Sequence, residues 1–158
     1  MSKSVILADF QKRDKWDFKE ALEKEIRSLG VQDMFRMLGR KRPEEIPDYL
    51  AWCDAAFISF ADNPLFEMTI PAKLQSYMAC GMPILASASG ETERIIREAG
   101  CGVVCRIGEA KVLAEGILEL REMEQGKRKA MGNSAFGYYQ KEFNREKLLG
   151  QAGRYLDK

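Results

Sequence analysis

Residues 69–87, TIPAKLQSYMACGMPILAS, carry in order the signals of a helix, a tight stop and a buried strand. Pro71 has a fixed φ and no backbone donor, so it suits the first turn of a helix, with Thr69 as the candidate cap just before it. Gly81 supplies the left-handed residue that ends a helix, and Pro83 prevents continuation. The mostly apolar run after Pro83 has the length of a buried strand. We therefore expect a helix that leads directly into a buried strand.

The apolar side chains of this helix are predicted to form one buried stripe. They recur at the spacing of a single helical face and comprise Ile70, Leu74, Tyr77 and Met78. Lys73 and Ser76, three residues apart, share a neighbouring flank. One face of the helix is therefore expected to join the core, and the flank with Lys73 is expected to be accessible.

Strand-like and helix-like segments alternate along the rest of the chain. Apolar runs of strand length lie at 4–8, 34–38, 55–60, 84–88 and 102–105, and further helical spacing occurs at 14–29, 44–52, 90–98 and 110–120. Roughly five strands joined through helices imply a parallel sheet, because each crossover must return over the sheet before the next strand starts. The predicted fold class is α/β, a doubly wound, Rossmann-like parallel sheet in one domain, 1–158. The last helices, at about 127–158, have no strand between them.

Doubly wound sheets bind ligands beyond the carboxyl ends of their strands, at a topological switch point. The candidate site walls are therefore the loops after Ala8, Leu38, Phe60, Ala88 and Cys105.

Composition and charge narrow the class of protein. Hydrophobic residues make up 46% and charged residues 31% of the 158 residues, which are globular proportions. With 25 Lys and Arg against 24 Asp and Glu, the net charge is +1, so no nucleic-acid partner is expected. Four Cys without a C-x-x-C pair and without any His indicate buried thiols in a reducing compartment and no structural metal site.

The amino terminus leaves no room for a secretion signal before the strand-like run that begins near Val5. No apolar run approaches the length that spans a membrane. We expect a soluble, cytoplasmic protein.

Residues 76–84, SYMACGMPI, resemble the most recognisable segment of the glycosyltransferase group 1 family, a helix ending in E-A-M-A-C-G-x-P-V followed by a strand. The form P-x-K-x-x-x-Y-M-A is similar to the branch that acts on bacterial surface polysaccharides. Further agreements occur in the family's order at 35–39, 46–50, Asp54, 90–91 and 101–104. The resemblance covers residues 5–143. It implies the carboxy-terminal, donor-binding half of a GT-B fold, in retaining enzymes that use nucleotide sugars.

A diphosphate is expected to bind where the predicted helix starts, around Thr69 and Ile70. Unpaired backbone N–H groups and the positive end of the helix dipole attract anions there, and Lys73 adds a mobile cation. From helix position alone Lys73 is more often a solvated side chain, and the resemblance shifts the interpretation towards phosphate. The resemblance also implies that Arg40, directly after Gly39, lies in the loop that contacts the base, although basic loops are more often simply solvated.

The family's E-x7-E motif, which contacts the donor sugar and the ribose, falls on Met68 and Ser76, so both carboxylates are absent. Glu67 is one place from the first position and is the candidate to replace it, while Ser76 retains a single hydrogen-bonding group. Glu91, predicted in the first turn of the next helix, either binds sugar hydroxyls or caps its own helix.

The chain contains no histidine, whereas the resemblance implies an amino-terminal half that supplies the acceptor site and usually a catalytic histidine. We therefore assign no catalytic residue and expect no sugar transfer by this chain without that acceptor-binding domain or subunit. Contact with a membrane is expected only indirectly, through the acceptor. We expect no metal or cofactor, because no Asp-x-Asp motif is present and a helix N-terminus with Lys73 can stabilise a departing diphosphate.

Two functions are open. The first is the donor half of a glycosyltransferase in polysaccharide or glycan biosynthesis, with a nucleoside diphosphate sugar as its ligand. The alternative is a non-catalytic, degenerate donor domain that acts as an interaction or regulatory module, as the two missing glutamates would allow.

Overall fold

A computed structural model describes residues 6–8, 15–39, 41–144 and 149. Arg40 lies outside the described residues, as does the part of the predicted last helices that follows Asn144, apart from Leu149. The chain divides into two compact units. The smaller is Asp9–Ile46, and the larger combines Met1–Ala8 with Pro47–Lys158.

The larger unit holds a parallel sheet of four strands, β1 (Ile6–Ala8), β2 (Ala55–Ser59), β3 (Ile84–Ser87) and β4 (Gly102–Cys105), in the order β1-β2-β3-β4. The helices described along the chain are α1 (Lys15–Ser28), α2 (Ile46–Leu50), α3 (Pro64–Glu67), α4 (Ala72–Ala79), α5 (Gly90–Ala99), α6 (Ala110–Glu122) and α7 (Gln125–Glu142), with 3₁₀ turns at Gln32–Met34 and Pro43–Glu45. None of the described helices is long and apolar enough to cross a membrane. Every neighbouring strand pair is parallel, which confirms the predicted α/β class.

The strand predicted at 34–38 is wrong. Met34 ends a 3₁₀ turn, and 35–39 join no strand ladder among the described residues. Met34, Phe35 and Met37 are exposed by 81%, 51% and 45%. An apolar run has the composition of a strand, but a strand is stable only when its backbone groups bond to a neighbour. The described sheet therefore has four strands in chain order, and it contains no reversal that would make the predicted switch point.

The helix of the opening stretch begins later than predicted. α4 starts at Ala72, and Pro71, with a ψ of 141°, is its extended N-cap residue. Thr69 is not the cap, because its hydroxyl donates to the Leu65 carbonyl oxygen 2.7 Å away. The residue before a proline is disfavoured in helical conformation, so Ile70 lies outside the helix and is 36% exposed. The other stripe residues are buried as predicted: Leu74, Tyr77 and Met78.

The predicted stop after α4 is confirmed. Gly81 has a φ of +64°, and its N–H donates to the Met78 carbonyl oxygen over 3.0 Å. The Met82 N–H donates to the Tyr77 carbonyl oxygen, also over 3.0 Å. These two bonds satisfy carbonyl groups of the last turn and lead the chain into β3. All four residues of β3 are buried, as expected for a strand covered on both faces.

Apolar side chains pack on both faces of the sheet. On one face, a buried cluster joins β2, β3, β4 and α6 and consists of Ala55, Leu85, Cys105 and Leu120. The opposite face alternates with it and includes Ala56, Ile58, Ile84 and Ala86, each at most 3% exposed. α4 packs on β2 and α5 packs on β4. Right-handed crossovers that run in one direction place these two helices on the same face, opposite α6.

Helix α7 crosses the turn between α4 and β3 at a very short backbone distance. A Cβ built on Gly132 would stand 2.2 Å from the Gly81 carbonyl oxygen, so no side chain fits at this crossing. One turn earlier, Arg128 donates to the Leu120 carbonyl oxygen at the end of α6 and lies 3.7 Å from the Asp54 carboxylate. These contacts attach α7 to α4, to α6 and to the start of β2.

The four thiols differ in accessibility. Cys101 and Cys105 are buried, Cys53 is half-buried and Cys80 is exposed, and all four are free. Burial raises the pKa of the Cys101 thiol to about 11. The expectation of buried thiols is wrong for Cys80, because this residue caps α4 at the rim of the turn.

Replacing Gly132 by Ala should lower the free energy of unfolding by about 1 to 3 kcal/mol, the usual effect of forcing an extra methyl group into a packed contact. Gly137→Ala is the matched control on α7, because a Cβ at that position has nothing within 4 Å in the described structure. The control should raise the free energy of unfolding by up to about 1 kcal/mol through helix propensity. Urea unfolding measures the free energy of unfolding of both variants. Equal changes in the two variants would contradict the close crossing of α7 over the turn.

Candidate functional site

A cleft of about 480 Å³ opens beyond the carboxyl ends of β2, β3 and β4. It is lined by the loops after these strands and by one side of α5. These three loops are among the five that the sequence predicts as walls of the site. Its polar members include Asp62, Glu67, Ser89, Glu93, Arg97 and Arg106. This is the edge of the sheet at which α/β proteins bind ligands, and α4 and α5 begin at the same edge because each follows a parallel strand.

One wall of the cleft is a short segment after β2, which we call the platform, residues 63–69. Asn63 caps α3 by accepting a hydrogen bond from the backbone N–H two residues later, at 3.0 Å. Phe66 stacks on Phe60 at the end of β2, with ring centroids 5.1 Å apart and planes inclined by 8°. The Asn-Pro start and the aromatic stack therefore fix the platform locally, and the platform carries Glu67 into the wall of the cleft.

The platform is held against α5 by two contacts of its backbone. Gly90 opens α5 with a φ of +64°, and a Cβ built on it would stand 2.1 Å from the Glu67 carbonyl oxygen. The fully buried Thr92 donates from its hydroxyl to the Thr69 carbonyl oxygen over 3.3 Å. Glycine is required at position 90 both for its left-handed backbone and for lack of space. The segments that lead into α4 and α5 are joined in this way.

Of the predicted site residues that the structure describes, only one is in the lining of this cleft. That residue is Glu67. Lys73, which is half-buried, and Ser76, which is exposed, lie on α4, and the Ser76 hydroxyl donates back to the Ala72 carbonyl oxygen over 3.0 Å. Thr69 and Ile70 directly precede Pro71, the N-cap residue of that helix. The structure thus places these residues on consecutive elements after β2.

Glu91 is held by an ion pair within α5. Its carboxylate lies 2.9 Å from the Arg94 guanidinium, which also pairs with Glu98. The hydrogen bond from Arg94 holds the pKa of Glu91 below its usual value. Ser89, the N-cap residue of α5, makes no side-chain cap bond. The sugar-binding role of Glu91 stays a prediction.

Gly39 belongs to the smaller unit and has a left-handed φ of +68°. Because Arg40 lies outside the described residues, the predicted base-contacting role of this pair stays a prediction.

Several charged residues of the cleft are not identifiable from the sequence as members of one site. Arg97 pairs with Glu93 at 2.8 Å on α5, and Arg106 pairs with Glu109 at 3.2 Å after β4. The spacing of Glu93 and Arg97 does indicate a helical ion pair. What brings the two arginines to one cleft is the packing of α5 on β4, which no local signal reveals.

The cleft offers hydrogen-bonding groups of both charges, three carboxylates (Asp62, Glu67, Glu93) and two guanidinium groups (Arg97, Arg106). In the described part of the chain, no three His, Cys, Asp or Glu side chains gather as metal ligands would. The arrangement can bind hydroxyl groups through its carboxylates and anionic groups through its arginines.

The sheet and the cleft define a Rossmann-like α/β domain with a ligand site at the carboxyl edge of its strands. A family model described as glycosyl transferases group 1 matches residues 5–137. The chain belongs to this family, which confirms the resemblance seen in the sequence.

The proteins to which this chain is similar are considerably longer. N-acetyl-alpha-D-glucosaminyl L-malate synthase of Bacillus anthracis is 24% identical over 126 residues, which is 80% of this chain and 31% of that protein. Anabaena Alr3699/HepE in complex with UDP and glucose is 22% identical with a TM-score of 0.79, over 98% of this chain and 40% of its own. Sucrose-phosphate synthase of Thermosynechococcus elongatus is 20% identical with a TM-score of 0.75, over 96% and 38%. These likenesses show the fold, and the chain spans two fifths or less of each protein.

Gly90→Ala should destabilise the fold by about 2 to 5 kcal/mol, since a left-handed alanine costs about 1 to 2 kcal/mol and the Cβ must also displace the Glu67 backbone. Gly100→Ala, at the other end of α5, is the control. Its φ is +59°, but a Cβ there meets no described atom within 4 Å. Gly100→Ala should therefore lower the free energy of unfolding only by the about 1 to 2 kcal/mol of a left-handed alanine. Thermal unfolding of both variants decides, and a Gly90→Ala protein no less stable than Gly100→Ala would disprove the contact between the platform and α5.

Proposed function

We propose that this chain is the donor-binding half of a glycosyltransferase that moves a sugar from a nucleoside diphosphate to an acceptor hydroxyl, in polysaccharide or glycan biosynthesis. The observation that carries the proposal is family membership over residues 5–137 together with a cleft at the carboxyl edge of the sheet. Crystal structures of the similar HepE contain UDP, and one also contains glucose, which supports a nucleotide sugar as the ligand. The acceptor site belongs to a separate domain or subunit in this proposal, and the greater length of the matched proteins supports that arrangement.

The main chemical demand of such a transfer is stabilisation of the departing diphosphate. The dipole of α4 favours negative charge at its N-terminal end, where helices commonly bind anionic groups. Lys73 is the second residue of α4, and its side chain is only partly exposed. In our proposal, this helix start and Lys73 bind the diphosphate, and no metal ion is required.

Glu67 supplies the carboxylate for the donor sugar in this proposal. It stands one residue before Met68, the position at which the family's first glutamate is expected, and Met68 itself is 77% exposed and has no polar group. The contact with Gly90 fixes the backbone at Glu67, and the Thr92 bond fixes it two residues later, at Thr69. A carboxylate held in this way can accept hydrogen bonds from two sugar hydroxyls.

A second candidate function is a non-catalytic, donor-like domain that serves interaction with a partner. Both motif carboxylates are absent, at Met68 and Ser76, and the Ser76 hydroxyl already donates to its own helix. Such a domain would keep the fold and lose its affinity for nucleotides.

We place the protein in the cytoplasm and propose that this chain by itself transfers no sugar. Four free cysteines fit a reducing compartment. The absence of histidine from the chain supports a catalytic group supplied from elsewhere.

UDP should bind weakly to the chain, and Lys73→Ala should weaken that binding by about 1 to 3 kcal/mol, the scale of a charge-assisted hydrogen bond. Lys111→Ala is the matched control, because Lys111 is likewise the second residue of a helix, α6, that begins at the carboxyl edge. The control should leave the affinity unchanged. Isothermal titration calorimetry measures all three proteins, and thermal unfolding should show that their stability is the same.

Ser76→Glu restores a carboxylate at the position of the family's second glutamate and should tighten UDP binding through the ribose hydroxyls. A gain of about 1 to 3 kcal/mol is expected for one added hydrogen bond to a charged group. If Lys73→Ala leaves the UDP affinity untouched and Ser76→Glu adds nothing, the donor role is refuted and the interaction module is favoured.

A further inference from the structure

We infer that Arg97 and Arg106 form a subsite for an oxyanion, a carboxylate or phosphate group, at the β4 side of the cleft. The two side chains come from different elements, the last turn of α5 and the loop after β4, and both line the cleft. The inference rests on the proposed function only in taking this cleft as the place where substrate binds.

Each guanidinium is anchored on one side in a way that leaves donors for a ligand. Arg97 donates from Nε to Glu93 Oε1 over 2.8 Å, and Arg106 donates from Nη1 to Glu109 Oε1 over 3.2 Å. A guanidinium has five N–H donors, so one carboxylate bond leaves most of its donors for a ligand. The two side chains are 62% and 81% exposed, so a ligand in the cleft can reach them.

The two arginines of the cleft lie at one side of the sheet. Asp62 and Glu67 follow β2, whereas Arg97 and Arg106 belong to the β4 side, and β3 lies between. The third carboxylate of the lining, Glu93, is on the arginine side and is paired with Arg97. Neighbouring strands are about 4.8 Å apart, so the elements that carry the two groups are separated by about 10 Å. Carboxylates suit sugar hydroxyls, and the fork of an arginine suits an oxyanion. The cleft therefore matches a ligand with hydroxyl groups at one end and negative charge at the other.

Ion pairs on helix surfaces usually have a minor structural role, and α5 contains an example for comparison. Arg94 pairs with both Glu91 and Glu98, so carboxylates engage it on two sides, and it is not among the residues that line the cleft. Arg97, three residues on, pairs with Glu93 and does line the cleft. The difference between these two arginines makes Arg94 a control on the same helix.

The test is titration of the 158-residue chain with inorganic pyrophosphate and, separately, with glucuronate, with glucose as the neutral counterpart. Ionic strength is held constant, and binding is followed by amide chemical shifts. At least one of the two anions should bind more tightly than glucose. Binding of pyrophosphate identifies phosphate as the source of the oxyanion, and binding of glucuronate identifies a sugar carboxylate. Arg97→Ala and Arg106→Ala should each weaken that binding about tenfold, and Arg94→Ala should leave it unchanged.

The subsite is refuted if neither anion binds more tightly than glucose. It is also refuted if Arg94→Ala lowers the affinity for the anion as much as Arg97→Ala does. Arg97→Lys keeps the charge but loses the forked guanidinium, so it should retain only part of the affinity for the anion.

The donor role is tested separately. UDP binding that depends on Lys73 but not on either arginine, with no anion bound by them, would refute the subsite alone. Loss of UDP binding together with anion binding that depends on the arginines would refute the donor role alone.

Discussion

The close approach of two glycine backbones, at Gly81 and Gly132, is the constraint on which the larger unit depends. Gly81 lets α4 end and β3 begin within a few residues, and Gly132 lets α7 lie directly on that turn. The same turn connects α4, which begins at the carboxyl edge of the sheet, with the strand that is buried on both faces. Arg128 then ties α7 to the end of α6 and to Asp54 before β2. Backbone contacts and one arginine thus close the amino edge of the sheet.

The carboxyl edge is built differently, with exposed polar loops on a buried sheet. All residues of 61–70 are exposed, yet the platform within this segment is positioned by an aromatic stack, a buried threonine and the missing side chain of Gly90. Functional groups on loops that a rigid scaffold positions are typical of binding sites. The core therefore needs no polar group of the site, and changes at Glu67 or Arg97 are expected to alter binding with little effect on folding.

Much of the fold can be predicted where several local signals agree. For β3 and β4, an apolar run, a preceding glycine and helical spacing on both sides all indicate a buried strand. The observed bounds of both strands agree with the predicted ones within one residue. The strand predicted at 34–38 fails because pairing, and not composition, makes a strand. Thr69 is not the cap of α4, because its hydroxyl bonds to the α3 turn and Pro71 takes the N-cap position. Glu67 can be identified from the sequence because it stands beside a position of the family motif. Arg97 and Arg106 cannot, because only the packing of α5 on β4 brings them to one cleft.

The central claim is that a nucleotide binds at the carboxyl edge of the sheet of this domain. It is tested most directly by mapping UDP onto the backbone amides of the chain by NMR. Saturating UDP should shift amides of the loops at 61–70, 88–91 and 104–107, and of the first turn of α4. The amides around Gly81 and Gly132, at the opposite edge, should stay unchanged. Shifts confined to that opposite edge, or none at saturating UDP, would contradict the claim.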